Sequence, residues 1–359
     1  MRLPCLVMNE AKLSRVEYDR IYHWRHAHRS PIGAKYQEKC HTCEASKHKS
    51  VYKRNAFFQG TTVSTNQPYW RLYSDAYGGQ RLMGTESYEG GIGGFVFACP
   101  VSGTIKAKLY ASLEQYPAVL YQVLLEIESE GYVTREIYCD TAAVNLSQAV
   151  EEVAEMFKVR IIPISGGTPQ ELAYAESAVR TLGQMSRSMM LGAPHLPTWV
   201  WGMADLNAAW IHRSMPQKAK DYKSPYEITT GRLPDDDILF IRVFGCPCQY
   251  EPAYAVEHKR SAKTEWGWFV GVQWPMVLIL RPSDNKVLSI SRKKVYCHEL
   301  MYAKFDPNVQ QRPQIDFRDF TLNENEVDQA IQSSIALDKE MSLSNDEFKI
   351  PEHVLSVKM

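Results

Sequence analysis

The stretch from Glu136 to Met190 most limits what this chain can fold into, because its hydrophobic pattern changes period three times within it. Glu136-Ile-Tyr-Cys-Asp140 reads as a strand, and residues 147–157 place Val150, Val153, Ala154 and Phe157 at helical spacing. Arg160-Ile-Ile-Pro163 is a second short strand, and a helix over 171–190 lines up Leu172, Ala175, Val179, Leu182 and Met189. Three strands are expected upstream. Tyr69-Trp-Arg-Leu-Tyr-Ser-Asp75 ends at a Tyr77-Gly78-Gly79 turn, while Gly94–Cys99 and Thr104–Tyr110 flank a Pro100-Val-Ser-Gly103 hairpin signal. A helix over 117–130, stopped by Gly131, separates these from Glu136. Three strands followed by alternating helices and strands predict an α/β fold, a mixed five-stranded sheet with helices on both faces.

Two of the five strands end in an acid, Asp75 and Asp140, and the last helix opens on a third, Glu176, with 35 residues between it and Asp140. A chain with 41 acidic residues supplies such separations by chance, so the spacing alone singles out nothing. The positions do. Two strand ends and an early helix turn can bring carboxylates together, and carboxylates are the ligands hard divalent cations prefer. On a flank of the last helix, Arg180 and Arg187 follow Glu176 at spacings of four from Glu176 and seven from Arg180, placing an acid and two bases on one side. A solvated face of salt bridges is the alternative reading of that side.

Residues 1–55 are polar and basic and lack the apolar periodicity of a core. They contain His23 and His28, then Cys40 and Cys43, a set suited to one tetrahedral Zn²⁺ whose binding would supply folding free energy. His26 and His41 lie close enough to stand in as ligands, and a basic arm with incidental thiols is the alternative. Residues 196–214 are apolar nearly all round, as in a buried helix or one shared with a partner, and Trp199, Trp201 and Trp210 read as core. A turn-rich linker leads to strand-like runs at 238–244, 266–272, 277–280 and 287–290, spaced as in a small β-barrel. Cys246 and Cys248 read as core thiols. Residues 306–359, acidic and poor in aromatics, read as a disordered tail.

The formal net charge is zero, which by itself argues against a nucleic-acid partner. Its distribution argues otherwise: residues 1–55 hold twelve Lys/Arg against five Asp/Glu, residues 251–305 nine against five, and residues 306–359 five against eleven. No apolar run is long enough to span a membrane, the opening residues are too short for a signal-peptide core, and the eight scattered cysteines suit a reducing compartment.

With those motifs in order, residues 20–305 resemble the integrases of copia-type retrotransposons. Tyr22-His-Trp-Arg-His-Ala-His28 and Cys40-His-Thr-Cys43 with Lys47 are similar to the family's zinc-binding entry. Thr168-Pro-Gln170, Ala175-Glu176 and Arg180 resemble the region of its third acid. His195-Leu-Pro-Thr-Trp199, Ser224-Pro-Tyr-Glu227, Arg242-Val-Phe-Gly245, Phe269-Val-Gly271 and Ser291-Arg292 resemble its later markers. Two departures stand out: Asp140 is followed by Thr141-Ala-Ala where the family has Asn-Gly, and Leu172-Ala-Tyr174 replaces its Asn-Gly-Val. The family continues into a reverse transcriptase, so a polyprotein fragment or a decayed copy is expected.

The resemblance implies a division into a zinc-binding segment (1–55), an RNase H-like core (56–225), a linker with an SH3-like barrel (226–305) and the tail (306–359). It implies that Asp75, Asp140 and Glu176 hold two Mg²⁺ or Mn²⁺ ions and that Arg180 and Arg187 lie along DNA. It also implies DNA 3′-end processing and strand transfer by a homo-oligomer, in the nucleus after a cytoplasmic particle stage, without secretion. A catalytically silent DNA-binding relic and an RNase H-type hydrolase are the competing expectations.

Overall fold

The structure is a computed structural model that describes residues 15–28, 40, 42–43, 67–78, 85–141, 147–164, 169–236, 239–252 and 264–299, without side chains for 15–19 and 169–172. All of these except Arg15 belong to one compact unit. The expected tail lies outside the described residues.

The first sheet contains β1 (Arg71–Gly78), β2 (Gly93–Ala98), β3 (Ile105–Tyr110), β4 (Glu136–Asp140) and β5 (Arg160–Ile164) in the order β3-β2-β1-β4-β5. The β1–β2 and β2–β3 pairs are antiparallel, β1–β4 and β4–β5 parallel, so the sheet is mixed and five-stranded as the period changes predict. Helices α2 (Tyr116–Ser129) and α3 (Gln148–Phe157) supply the crossovers. Ser112 caps the turn before α2 in a capping box with Gln115, Pro117 occupies its first turn, and Gly131 leaves it at a positive φ of 83°. The apolar stripe Val119, Leu120, Val123, Leu124 and Ile127 buries against Leu72, Phe95, Phe97 and Ile137 on one face of the sheet, with Val150 from α3.

Helix α4 (Pro169–Gly192) covers the other face, packing on β1, β2 and β4 through Ala175, Ala178 and Leu182. Helix α5 (Trp201–Ser214) lies on α4 and β3 and also on β7 (Glu265–Gln273) of a second sheet. That double contact explains why α5 is apolar all round: it is shared, though within the chain. Trp201 donates its indole N–H to the Thr85 carbonyl and Trp210 to that of Leu239, so both are structural, as expected.

The second sheet is antiparallel, in the order β10-β6-β7-β8-β9, with β6 (Pro247–Tyr250), β8 (Met276–Arg281), β9 (Lys286–Ser291) and β10 (Val295–Cys297). Helix α6 (Pro225–Thr230), capped by Ser224, precedes it. The expected strand at 238–244 does not form over the described residues 239–244. Phe240 and Gly245 adopt positive φ values of 53° and 80°, which an extended strand cannot include, so this apolar segment is buried as a loop against Phe269 and Glu299. Cys246 and Cys248 are fully buried, in keeping with core thiols.

Between α5 and β1, the Tyr77 hydroxyl donates to the buried carboxylate of Asp205 at 3.0 Å. Burial pushes Asp205 up to about 6, against the hydrogen bonds from Ser186 and Tyr77, which pull it down. In the folded state it therefore keeps its proton at a pH where the unfolded chain has released it. Its contribution to stability is present below about pH 4 and is lost as pH rises through about 6. Asp205→Asn should remove that loss: urea titrations at pH 4 and pH 7 should show the wild-type stability change narrowing by on the order of 2–3 kcal/mol in the variant.

Candidate functional site

The parallel pairing of β1 with β4 positions two of the three acids. Arg71 stands opposite Glu136, Leu72 opposite Ile137 and Tyr73 opposite Tyr138. Two residues further on each strand lie Asp75 and Asp140, on the same face as the tyrosines because side chains alternate along a strand. Leu72 and Ile137 point the other way, into the core. Hydrophobic burial on one face thus fixes the register of the paired segment, and an aspartate follows each tyrosine by two residues on the other face.

Asp75 is half-buried, and its Oδ1 accepts the Ala76 backbone N–H at 2.8 Å. Burial pushes it up to about 6, the Ala76 N–H opposes this, and the negative charges of Asp140 and Glu176 raise it further. The three acids therefore share one electrostatic neighbourhood, a donor set of hard carboxylate oxygens suited to divalent cations. Glu176 is exposed on α4, as are Arg180 and Arg187 further along the helix. The three carboxylates are not among the tight groups of potential ligand atoms in the described residues, and like charges hold apart unless cations lie between them.

The tight group among the described residues is His23, His28, Cys40 and Cys43, whose ligand atoms all lie within 4.8 Å of one another. His23 and His28 are five apart, which an uninterrupted helix would splay by more than a right angle. Instead α1 (Arg15–Arg25) ends in a left-handed turn, with φ of 50° at Ala27 and 59° at His28, and the His28 N–H bonds back to the His23 carbonyl at 2.8 Å. The two rings meet edge to face, 5.1 Å apart. His23 Nε2 then lies 3.2 Å from Cys43 Sγ and His28 Nδ1 3.3 Å from Cys40 Sγ. A tetrahedral zinc with ordinary bond lengths has ligand–ligand edges of about 3.3–3.8 Å, so the four residues fit one ion. The Cys40 thiol is held well below its ordinary range by Cys43, His23 and His28 against the effect of burial, as a thiolate ligand requires.

The ambiguity over His26 is resolved. Its Nδ1 faces the Tyr22 carbonyl at 2.9 Å and its Nε2 lies 3.5 Å from Asp236, so its ring is turned away from the sulfurs. His41 lies outside the described residues. No motif in the sequence marks what anchors this segment. Arg25 forms a two-pronged ion pair with the buried Glu299, at 2.9 and 2.5 Å; Glu299 also accepts the Val243 N–H at 2.8 Å and lies 3.9 Å from Arg242. At Gly192, the end of α4, an added Cβ would sit 2.9 Å from His28 Nε2.

No family model matches the chain, and no curated protein does. Solved structures similar to it include a chain of the simian T-cell lymphotropic virus intasome in complex with PP2A regulatory subunit B56 gamma, 13% identical, over 65% of this chain and 82% of that one, with a TM-score of 0.35. Others are the HTLV-2 integrase catalytic core domain in complex with magnesium, in a trimeric form (15% identical, 45% of this chain and 97% of that one, TM-score 0.36) and a dimeric form (16%, 46% and 97%, 0.35). These are retroviral integrases at low identity, and likenesses of this degree leave the site to be argued from its own residues. The zinc ligands give a direct check. The purified chain should carry about one zinc per molecule by elemental analysis, and Cys40→Ser should lose it with a fall in melting temperature of at least about 5 °C. A wild-type protein free of zinc after refolding in its presence would remove the assignment.

Proposed function

We propose that the chain is an integrase of the copia type, a metal-dependent polynucleotidyl transferase that trims DNA 3′ ends and joins them to target DNA. The observation that carries this reading is the parallel pairing of β1 with β4, which puts Asp75 and Asp140 two residues beyond the paired tyrosines on one face of the sheet, with the charge of Glu176, on the helix that covers them, felt at Asp75. In this reading the three carboxylates would hold two Mg²⁺ or Mn²⁺ ions, which would supply activation of an attacking oxygen and stabilisation of the leaving one. The Ala76 N–H pins one oxygen of Asp75. Arg180 and Arg187, exposed on α4 beyond Glu176, would contact the phosphate backbone, and the basic run Arg292-Lys-Lys294 between β9 and β10 offers further positive charge to it.

The division proposed with this function is a zinc-binding segment to residue 55, the RNase H-like core to 225, and an SH3-like barrel to 305. The partners are element-end and target DNA, the assembly is a homo-oligomer on DNA, and the place of action is the nucleus. No helix among the described residues is long and apolar enough to cross a membrane.

A second reading, a DNA-binding relic without turnover, draws on the exposed position of Glu176 and on the looser gathering of the acids relative to the zinc ligands. One experiment separates the two. With Mn²⁺ and labelled element-end DNA, the wild-type chain should release the terminal nucleotides and join the recessed end to a second duplex. Asp140→Asn should lower both reactions by at least about a hundredfold while leaving DNA binding intact. DNA binding without either reaction in the wild-type chain supports the relic, and equal activity in Asp140→Asn removes the acids from the site.

A further inference from the structure

Each of the three acids has a tyrosine two residues before it: Tyr73 before Asp75, Tyr138 before Asp140 and Tyr174 before Glu176. The three rings form one stack. Tyr73 lies against Tyr138 with centroids 5.0 Å apart and planes at 27°, and against Tyr174 at 5.2 Å and 30°. The Arg71 guanidinium sits over the Tyr138 ring at 4.8 Å and pairs with Glu136 at 2.7 Å, and Glu136 also pairs with Arg160 of β5 at 2.7 Å. One continuous layer therefore runs from β5 through β4 and β1 to the first turns of α4. It crosses every element that carries an acid.

Backbone hydrogen bonds set the register of β1 against β4 as far as Tyr73 and Tyr138, and each aspartate follows its tyrosine by two residues. The far half of α4 is linked to β1 through Asp205, which accepts from Ser186 and Tyr77, but its first turns pack through small residues such as Ala175 and Ala178, which leave a helix room to slide and roll on its neighbours. Tyr174 is half-buried, and its ring meets that of the buried Tyr73 on the sheet face that carries Asp75. A flat ring against a flat ring leaves few alternative seats, whereas an aliphatic side chain there would accept several.

We infer that Tyr73, Tyr138 and Tyr174 are positioning residues, a stack that seats α4 on β1 and so fixes the placement of Glu176 relative to Asp75 and Asp140. This rests on the assignment of the three acids as a divalent-cation site. The stack touches no reacting group. Its effect passes through the carboxylates, as second-layer contacts do in metal sites.

The test is Mn²⁺ binding followed by calorimetry and by electron paramagnetic resonance, on the zinc-loaded full chain without DNA. The proteins are wild type, Asp140→Asn, Tyr174→Leu and Tyr174→Phe, with thermal melts recorded in the absence of Mn²⁺. Tyr174→Leu should bind Mn²⁺ about ten- to a hundredfold more weakly than wild type, and Tyr174→Phe, which keeps the ring and loses only the hydroxyl, should restore the affinity. If Tyr174→Leu melts with the wild type yet binds Mn²⁺ equally well, or if Tyr174→Phe binds as weakly as Tyr174→Leu, the positioning role is overturned while the acid site stands. If Asp140→Asn binds Mn²⁺ as the wild type does, the acid site falls and the inference falls with it. Should Tyr174→Leu fail to fold, Tyr138→Leu and Tyr138→Phe offer the same contrast from the other end of the stack.

Discussion

The parallel pairing of β1 with β4 is the contact on which the rest of this structure depends. Slipping it by one residue would carry Leu72 or Ile137 out of the core and turn the opposing tyrosine and aspartate inward, so burial specifies the register strongly. With the register set, three side-chain pairs stand in order along the other face: a cation with an anion, a tyrosine with a tyrosine, and an aspartate with an aspartate. The first two pairs attract, by an ion pair and by ring stacking. The third repels, which is the arrangement a divalent cation reverses. The favourable pairs lie next to the unfavourable one and on the same strands, so the attraction that closes the paired segment works against the mutual charge of the two aspartates that follow it.

The N-terminal segment solves a different problem. It has too little apolar surface to hold itself in place, and what it offers instead is a buried ion pair, Arg25 with Glu299, flanked by Arg242. Taking such charges out of water is costly, and their attraction repays the cost only when the geometry is tight and the remaining polar atoms are satisfied. Here Glu299 spends its oxygens on the Arg25 fork and the Val243 N–H. The neighbouring contact between His26 and Asp236 adds to this: burial raises Asp236, but His26, Arg25 and Arg242 hold it below its ordinary value. A bound zinc would fix the turn at Ala27 and His28 and so present Arg25 and His26 at the correct angle. Zinc binding at this cluster would therefore be coupled to the contacts that Arg25 and His26 make with Glu299 and Asp236.

Much of the architecture was legible from periodicity. The α2 stripe, the alternation after Glu136 and the long α4 all follow from where apolar residues recur, and boundaries follow from Gly131 and the change of pattern at Arg160, whereas the cap at Ser112 did not stand out. The failed strand at 238–244 shows the limit of that method, because a buried loop and a buried strand share an apolar composition and only the positive φ at Phe240 and Gly245 separates them. The zinc set was legible as His23, His28, Cys40 and Cys43, and what the sequence left open, His26 as a substitute, is closed by a left-handed helix end that no side chain announces. The tyrosine stack was written in the sequence as Arg-x-Tyr-x-Asp at 71–75 and Glu-x-Tyr-x-Asp at 136–140. It takes the parallel register to make those two lines face each other.

That stack also bears on how the departures from the copia pattern are to be weighed. Where the pattern it resembles carries Asn-Gly-Val, this chain has Leu172-Ala-Tyr174, which favours helix, and α4 begins at Pro169. The Tyr174 ring lands on Tyr73, beside a tyrosine already stacked there from β4, so the first turns of α4 are seated by packing against the sheet. Glu176 follows two residues on, on the exposed flank of α4 that also carries Arg180 and Arg187.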